Sequence, residues 1–211
     1  MRDAANGKEA LKVVQKKSGL KIDVISGEEE SQIIYDNHLS LITASGGNYL
    51  YVDVGGGSTE VSCIKDGERV YSHSYNVGTL RLLNGKVKPA TMLSLRHDLM
   101  VATEDMDQIT IVGSGGNINK LYRIARQRDK QVDRLPVATL RRLYERLDKM
   151  SLEVRMDTFN MKPDRADVIV PAAKIFLEIA DCVHATEIMV PNLGLADGII
   201  NELMEKYKAK H

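Results

Sequence analysis

A glycine-rich segment flanked by acids is the part of the sequence best suited to phosphate chemistry. It reads Asp53-Val54-Gly55-Gly56-Gly57-Ser58-Thr59-Glu60. Three successive glycines allow the backbone to point N–H groups at an anion without obstruction by side chains. Asp53 and Glu60 could hold a Mg²⁺ ion, directly or through its waters, and that ion would bridge to phosphate oxygens. The alternative is a strand connection with two solvated acids.

A second glycine segment, Gly113-Ser114-Gly115-Gly116-Asn117, joins a predicted strand to a predicted helix. The first N–H groups of a helix have no partner within the helix and can bind an anion. Ile118 stands where a dinucleotide-binding fingerprint has its last glycine, so the segment alone predicts only a strand-to-helix turn. The presence of the first glycine segment makes this turn a second candidate for anion binding.

Three consecutive glutamates, Glu28-Glu29-Glu30, follow a serine that can cap a helix. Ser26 and Glu29 have the spacing of a capping box, so the helix start accounts for Glu29. Capping does not account for Glu30, which could act as a general base if it faced a phosphate cleft. The alternative is that all three glutamates only favour the helix dipole.

Composition and spacing exclude several other classes of protein. Lys plus Arg and Asp plus Glu number 29 each, which indicates no general attraction to nucleic acid or an anionic membrane. Cys63 and Cys182 are too far apart for a Cys-x-x-Cys metal clamp, and Cys63 is expected to be a small core residue. No apolar run approaches the roughly 18 residues of a membrane span. We therefore expect a cytoplasmic protein.

The elements that must position these residues alternate between helices and strands. Periodicity predicts strands at 49–54, 108–112 and 187–190, with a hairpin over 59–65 and 69–75 that turns at Asp66-Gly67. A short strand is predicted at 20–25, after a helix that begins near Asn6 and stops at Gly19. The other helices are predicted at 26–39, 79–83, 91–104, 117–128, 137–149, 165–183 and 195–206. This order predicts an α/β fold in which helices pack on a mixed sheet.

Five blocks of the sequence, taken in order, resemble the exopolyphosphatase/guanosine pentaphosphate phosphatase (Ppx/GppA) family. They are SGEEESQIIY, YVDVGGGSTEVS, IVGSGGNINKL, RADVIVPAAKI and NLGLADGII. The resemblance implies RNase H-like lobes of the actin/hexokinase/Hsp70 type that close on a phosphoryl group. It also implies a Mg²⁺-dependent hydrolase that releases terminal phosphate from polyphosphate or guanosine pentaphosphate.

The resemblance also implies a role for individual residues. Glu30 matches the family's catalytic glutamate, Asp53 and Glu60 match the acids of its second phosphate loop, and Arg2 resembles an arginine that faces the phosphate. The loop itself corresponds to Gly55, Gly56, Gly57, Ser58 and Thr59, and the nucleotide-side glycine turn corresponds to Gly113, Ser114, Gly115 and Gly116.

The sequence departs from the family pattern near its start. The family has a first phosphate loop well upstream of the arginine segment, whereas Met1 stands one residue before Arg2 here. Gln32 and Ala196 replace basic residues of the pattern. We therefore expect residues 1–44 to be a remnant of the first lobe and residues 45–211 to form the second. A non-catalytic phosphate- or nucleotide-binding module, a kinase of the same superfamily and a homodimer remain open alternatives.

Overall fold

The computed structural model describes residues 6–26, 29, 32, 33, 35, 36, 46–126, 133–191 and 195–208. The described strands are β1 (Asn48–Val54), β2 (Thr59–Lys65), β3 (Glu68–Tyr75), β4 (Thr110–Ser114), β5 (Arg134–Pro136) and β6 (Glu187–Met189). The described helices are α1 (Gly7–Ser18), α2 (Thr79–Leu83), α3 (Pro89–Ala102), α4 (Gly116–Arg126), α5 (Val137–Asp148), α6 (Leu152–Phe159), α7 (Pro163–Cys182) and α8 (Leu195–Lys208).

The chain forms two compact units, which are residues 1–41 with 193–211 and residues 42–192. The sequence-based boundary near residue 44 lies close to the first division, but it assigned residues 193–211 to the larger part. In the first unit, a β-carbon at Gly198 of α8 would lie 2.6 Å from Ile33 Cγ2, so this helix packs closely on the N-terminal segment. The correspondence of these units to two lobes stays a prediction.

The larger unit contains a mixed sheet with the strand order β3-β2-β1-β4-β6-β5. β1 pairs parallel with β4 and antiparallel with β2, and β4 pairs parallel with β6. The β2–β3 hairpin turns at Asp66 and Gly67, which both have positive φ, as a tight two-residue hairpin turn requires. The predicted α/β architecture is thus confirmed.

Helix α7 organises the core beside this sheet. It contacts the strand β1 and the helices α2, α3, α4, α5 and α6. Phe176 of α7 is completely buried, as are Leu50 and Val52 of β1. Cys63 on β2 is also completely buried in this core, as predicted. A rigid packed sheet therefore underlies the ends of β1 and β4, where the glycine segments begin.

Several sequence-based predictions differ from the structure in detail. Residues 20–26 are irregular, so the strand predicted at 20–25 is wrong; Leu20 and Val24 are 65% and 47% exposed, and alternation without a paired strand does not make a sheet. The helix predicted at 137–149 is followed by a separate α6, and the three-residue β5 was not predicted. Asn6 precedes α1, but its side chain makes no capping hydrogen bond.

No helix within the described ranges is long and apolar enough to cross a membrane.

Candidate phosphate-binding site

The register of the sheet brings the two glycine segments to one edge. Asp53 near the end of β1 lies opposite Glu60 on β2 and beside Ser114 at the end of β4. Residues paired in this way have Cα atoms about 4.5–5.5 Å apart. Because β1 and β4 are parallel, their carboxyl ends meet at the same edge, which is where α/β sheets bind ligands. The spacing of the motifs had predicted these residues, and the sheet places them next to one another.

The loop from Gly55 to Ser58 is fastened on one side by helix α2. The α2 amides of Thr79 and Leu80 donate to Gly55 O and Gly56 O over 3.0 and 2.9 Å, and Arg81 Nε donates to Gly57 O over 2.7 Å. In a trans peptide the carbonyl of one residue and the N–H of the next point in opposite directions. The N–H groups of residues 56–58 therefore face away from α2.

These three N–H groups form no hydrogen bond within the described part of the chain. Successive backbone N–H groups that converge on one side make a concave site for an anion. The loop is closed by a hydrogen bond of 2.9 Å from Gly55 N to Ser58 O, which bends it back on itself. The geometry suits the binding of phosphoryl oxygens.

Gly78, which precedes α2, is required by its close approach to the same loop. A β-carbon at this position would lie 2.4 Å from Gly56 O and 2.5 Å from the carbonyl carbons of Gly56 and Gly57. Any side chain would push the loop away from α2. The role of Gly78 was not predicted from the sequence, because it depends on a contact between segments that are 22 positions apart.

The two polar residues that end the loop hold it in different ways. Thr59 is completely buried, and its hydroxyl donates to Val77 O over 2.5 Å, so the Thr59 side chain fastens the loop to the scaffold. Glu60 Oε1 accepts hydrogen bonds from Ser58 Oγ at 2.6 Å and from Ser74 Oγ at 3.0 Å. The Glu60 carboxylate is thus held in place beside the loop.

The second glycine turn passes directly against Asp53. Gly115 has φ of +99°, which disfavours other residues, and a β-carbon there would lie 3.0 Å from Asp53 Oδ1. Helix α4 begins at the next residue, Gly116. Gly113 has a different surrounding: its β-carbon would meet Ile118, Ile188 and Phe176, so this glycine fits the core. The end of the turn, at Gly115 and Gly116, is the part next to Asp53.

Arg165 is a cation at the second turn that the sequence analysis did not assign. A β-carbon at Gly116 would lie 2.9 Å from Arg165 Nη2, and Arg165 Nη1 donates to Asn117 Oδ1 over 2.5 Å. Arg165 lies in the first turn of α7, where a basic residue is disfavoured by the helix dipole. This unfavourable position in the helix is the sequence feature that could have identified Arg165. Its guanidinium adds positive charge beside the turn.

The oxygen ligands present suit Mg²⁺ better than a softer metal. Magnesium is usually held by one or two carboxylates together with waters and substrate phosphates, and Asp53 and Glu60 lie opposite each other. Burial raises the pKa of the Cys63 thiol from 9.0 to about 11, so it does not provide a thiolate. The described residues contain no group of three or more side chains of the His, Cys, Asp or Glu type that could enclose a metal.

Two predicted site residues, Arg2 and Glu30, lie outside the described residues. Just before Glu30 in the sequence, Glu29 N donates to Ser26 Oγ over 3.0 Å, which confirms Ser26 as a helix cap. The remaining assignment, of Glu30 as a base and Arg2 as a phosphate ligand, stays a prediction.

Solved structures show the class of protein to which this fold belongs. An exopolyphosphatase from Cytophaga hutchinsonii matches 97% of this chain and 72% of its own with a TM-score of 0.71 and 20% identity. A Ppx/GppA family member from Aquifex aeolicus matches all of this chain and 72% of its own, with a TM-score of 0.65 and 24% identity. The chain therefore has the α/β fold of these two solved structures, in which helices flank a mixed sheet.

Sequence comparison identifies the family within that class. The chain belongs to the Ppx/GppA phosphatase family, whose sequence profile matches residues 1–207. A guanosine-5'-triphosphate,3'-diphosphate pyrophosphatase of Aeromonas salmonicida is 26% identical over 222 residues, which cover 97% of this chain and 43% of that protein. Exopolyphosphatase 2 of Mycobacterium tuberculosis is 27% identical over 180 residues, which cover 77% of this chain and 56% of that protein. The chain thus spans about half the length of these two relatives.

Proposed function

We propose that the chain hydrolyses phosphoanhydrides and releases terminal phosphate from polyphosphate or guanosine pentaphosphate. The observation that carries the proposal is the meeting of two glycine turns with Asp53 and Glu60 at one sheet edge. The names of the relatives, exopolyphosphatase and guanosine-5'-triphosphate,3'-diphosphate pyrophosphatase, support this class of substrate.

The roles of the residues follow from what each can offer a phosphoryl group. The outward N–H groups of residues 56–58 hold phosphoryl oxygens, and the loop needs no rearrangement to do so because α2 fixes its carbonyls. Arg165 supplies positive charge at the second turn. Fixed donors of this kind provide most of the catalysis in phosphoryl transfer, which depends on position and electrostatics.

Asp53 and Glu60 would hold Mg²⁺ in the proposed mechanism. When bound, the ion would offset the negative charge on the phosphoryl oxygens. Glu30 is proposed to take the proton from the attacking water, because an oriented carboxylate can act as a general base. Arg2 is proposed to contact a phosphate of the substrate.

The test compares phosphate release with binding of polyphosphate and guanosine pentaphosphate across a Mg²⁺ titration. We expect Glu60→Gln to raise the Mg²⁺ concentration needed for half-maximal release, since an amide is a weaker ligand for a hard cation than a carboxylate. Glu68→Gln, on the exposed start of β3, is the matched control and should leave the titration unchanged. Binding of either compound without phosphate release would instead favour a non-catalytic binding module.

A further inference from the structure

Glu60 is held by hydroxyl groups that come from two different parts of the fold. Ser58 belongs to the glycine loop itself, whereas Ser74 lies on the neighbouring strand β3, directly opposite Glu60. Both hydroxyls donate to the same oxygen, Oε1, at 2.6 and 3.0 Å. Hydrogen bonds to a charged acceptor are about twice as strong as those between neutral groups.

The two carboxylate oxygens of Glu60 differ in their hydrogen bonds. Oε1 receives two donors, while Oε2 receives none from the described part of the chain. A glutamate side chain has three rotatable torsions, and one hydroxyl from its own loop would let loop and side chain move together. The hydrogen bond from Ser74, which lies on the sheet, restrains the orientation of the carboxylate and therefore the direction in which Oε2 points.

We propose that Ser74 is a positioning residue for the Glu60 carboxylate and sets the affinity of this site for a divalent cation. The inference rests on the proposed function, in which Glu60 is a ligand of Mg²⁺. Partners of metal-ligating groups typically change metal affinity or activity about 10–100-fold when they are removed. We expect a loss of that size for Ser74→Ala.

Ser72 provides a matched control two residues away on the same strand. Its hydroxyl lies 3.0 Å from Ser62 Oγ and makes no hydrogen bond to Glu60. Ser72 and Ser74 are both exposed, on the same face of β3, so replacing either by alanine removes one surface hydroxyl. Each variant loses one side-chain hydrogen bond, but only Ser74→Ala loses a hydrogen bond to the Glu60 carboxylate.

The experiment measures binding of Mn²⁺, a hard cation that accepts the same oxygen ligands, from the electron paramagnetic resonance signal of the free ion. The full chain is compared with Ser74→Ala, Ser72→Ala and Ser74→Thr, and thermal melts verify folding. We expect the Kd for Mn²⁺ to rise at least tenfold in Ser74→Ala. It should stay within twofold of the parent in Ser72→Ala, and in Ser74→Thr because that variant retains a hydroxyl.

A double substitution separates positioning from a general structural effect. If Ser74 acts through Glu60, then Ser74→Ala should change the Kd less than twofold in a Glu60→Gln background. Equal Mn²⁺ affinity in Ser74→Ala and in the parent would overturn the inference and leave the proposed function intact. Absence of Mn²⁺ binding by the parent chain would overturn the inference and the proposed metal role together.

Discussion

Replacement of Gly78 by alanine tests how the proposed phosphate-binding loop is held. The added β-carbon would lie 2.4 Å from Gly56 O, whereas ordinary contacts begin at 3.4 Å, so loop and helix must separate by about 1 Å. The backbone at Gly78 is extended, with φ of −136°, and alanine adopts that conformation without strain. The whole cost of the substitution therefore comes from the contact.

The expected magnitude follows from the cost of overpacking, which is about 1–3 kcal/mol. In a chain of this length each kcal/mol lowers Tm by about 2–4 °C, so a loss near 2 kcal/mol corresponds to about 4–8 °C. The movement also disturbs the hydrogen bonds from Thr79 and Leu80 to the loop carbonyls. A displacement of about 1 Å in a group that binds the reacting phosphate can reduce activity about a hundredfold.

Gly57→Ala is the matched control for stability, because a β-carbon at Gly57 would meet nothing within 4 Å and its φ is not positive. Differential scanning calorimetry should show an unchanged Tm for Gly57→Ala and a lowered Tm for Gly78→Ala. Calorimetric titration with tripolyphosphate would report the matching loss of anion affinity in Gly78→Ala. A Gly78→Ala protein with the Tm and affinity of the parent would refute the account of how α2 fixes the loop.

The other predictions concern the core and the N-terminal segment. Burial raises the pKa of the Cys63 thiol from 9.0 to about 11, so the stability that depends on the protonated thiol is complete below pH 9 and is lost between pH 9 and 11. In melts measured across this pH range, Cys63→Ala should show a smaller fall in Tm than the parent. Iodoacetamide at pH 8 should label Cys182 before the buried Cys63. Ser26→Ala should lower stability by about 1 kcal/mol in denaturant titrations, because it removes the hydrogen bond from Glu29 N. In assays of phosphate release, Glu29→Gln should keep most of the activity, whereas Glu30→Gln should reduce it about a hundredfold to ten-thousandfold; similar small losses in both would contradict the assignment of the base.

Local signals in the sequence were sufficient for the parts of the fold that depend on neighbouring residues. The turn at Asp66-Gly67 determines the β2–β3 hairpin, and the apolar run of residues 49–54 indicates a buried strand. The strand predicted at 20–25 is wrong because its alternating residues pair with no strand in the described part of the chain. The short β5 was missed because pairing with β6 forms it, and three residues carry no period of their own.

In the candidate site too, residues within one motif were predictable from the sequence, whereas contacts between distant segments were not. The glycines and the acids Asp53 and Glu60 were predictable because they lie close together in one motif. Arg165 and Ser74 were not predicted, since their places depend on packing: Arg165 reaches Asn117 across 48 positions, and Ser74 reaches Glu60 across 14. Such contacts become visible only when the strand register and the helix positions are known.

The most direct test of the proposed phosphate site is a map of backbone amide shifts. Tripolyphosphate and Mg²⁺ would be added to the ¹⁵N-labelled chain, and the shifts of all assigned amides would be followed. We predict that the largest changes occur at residues 55–59 and 115–117, the two turns that meet at Asp53. Shifts confined to residues outside both glycine turns would contradict this prediction.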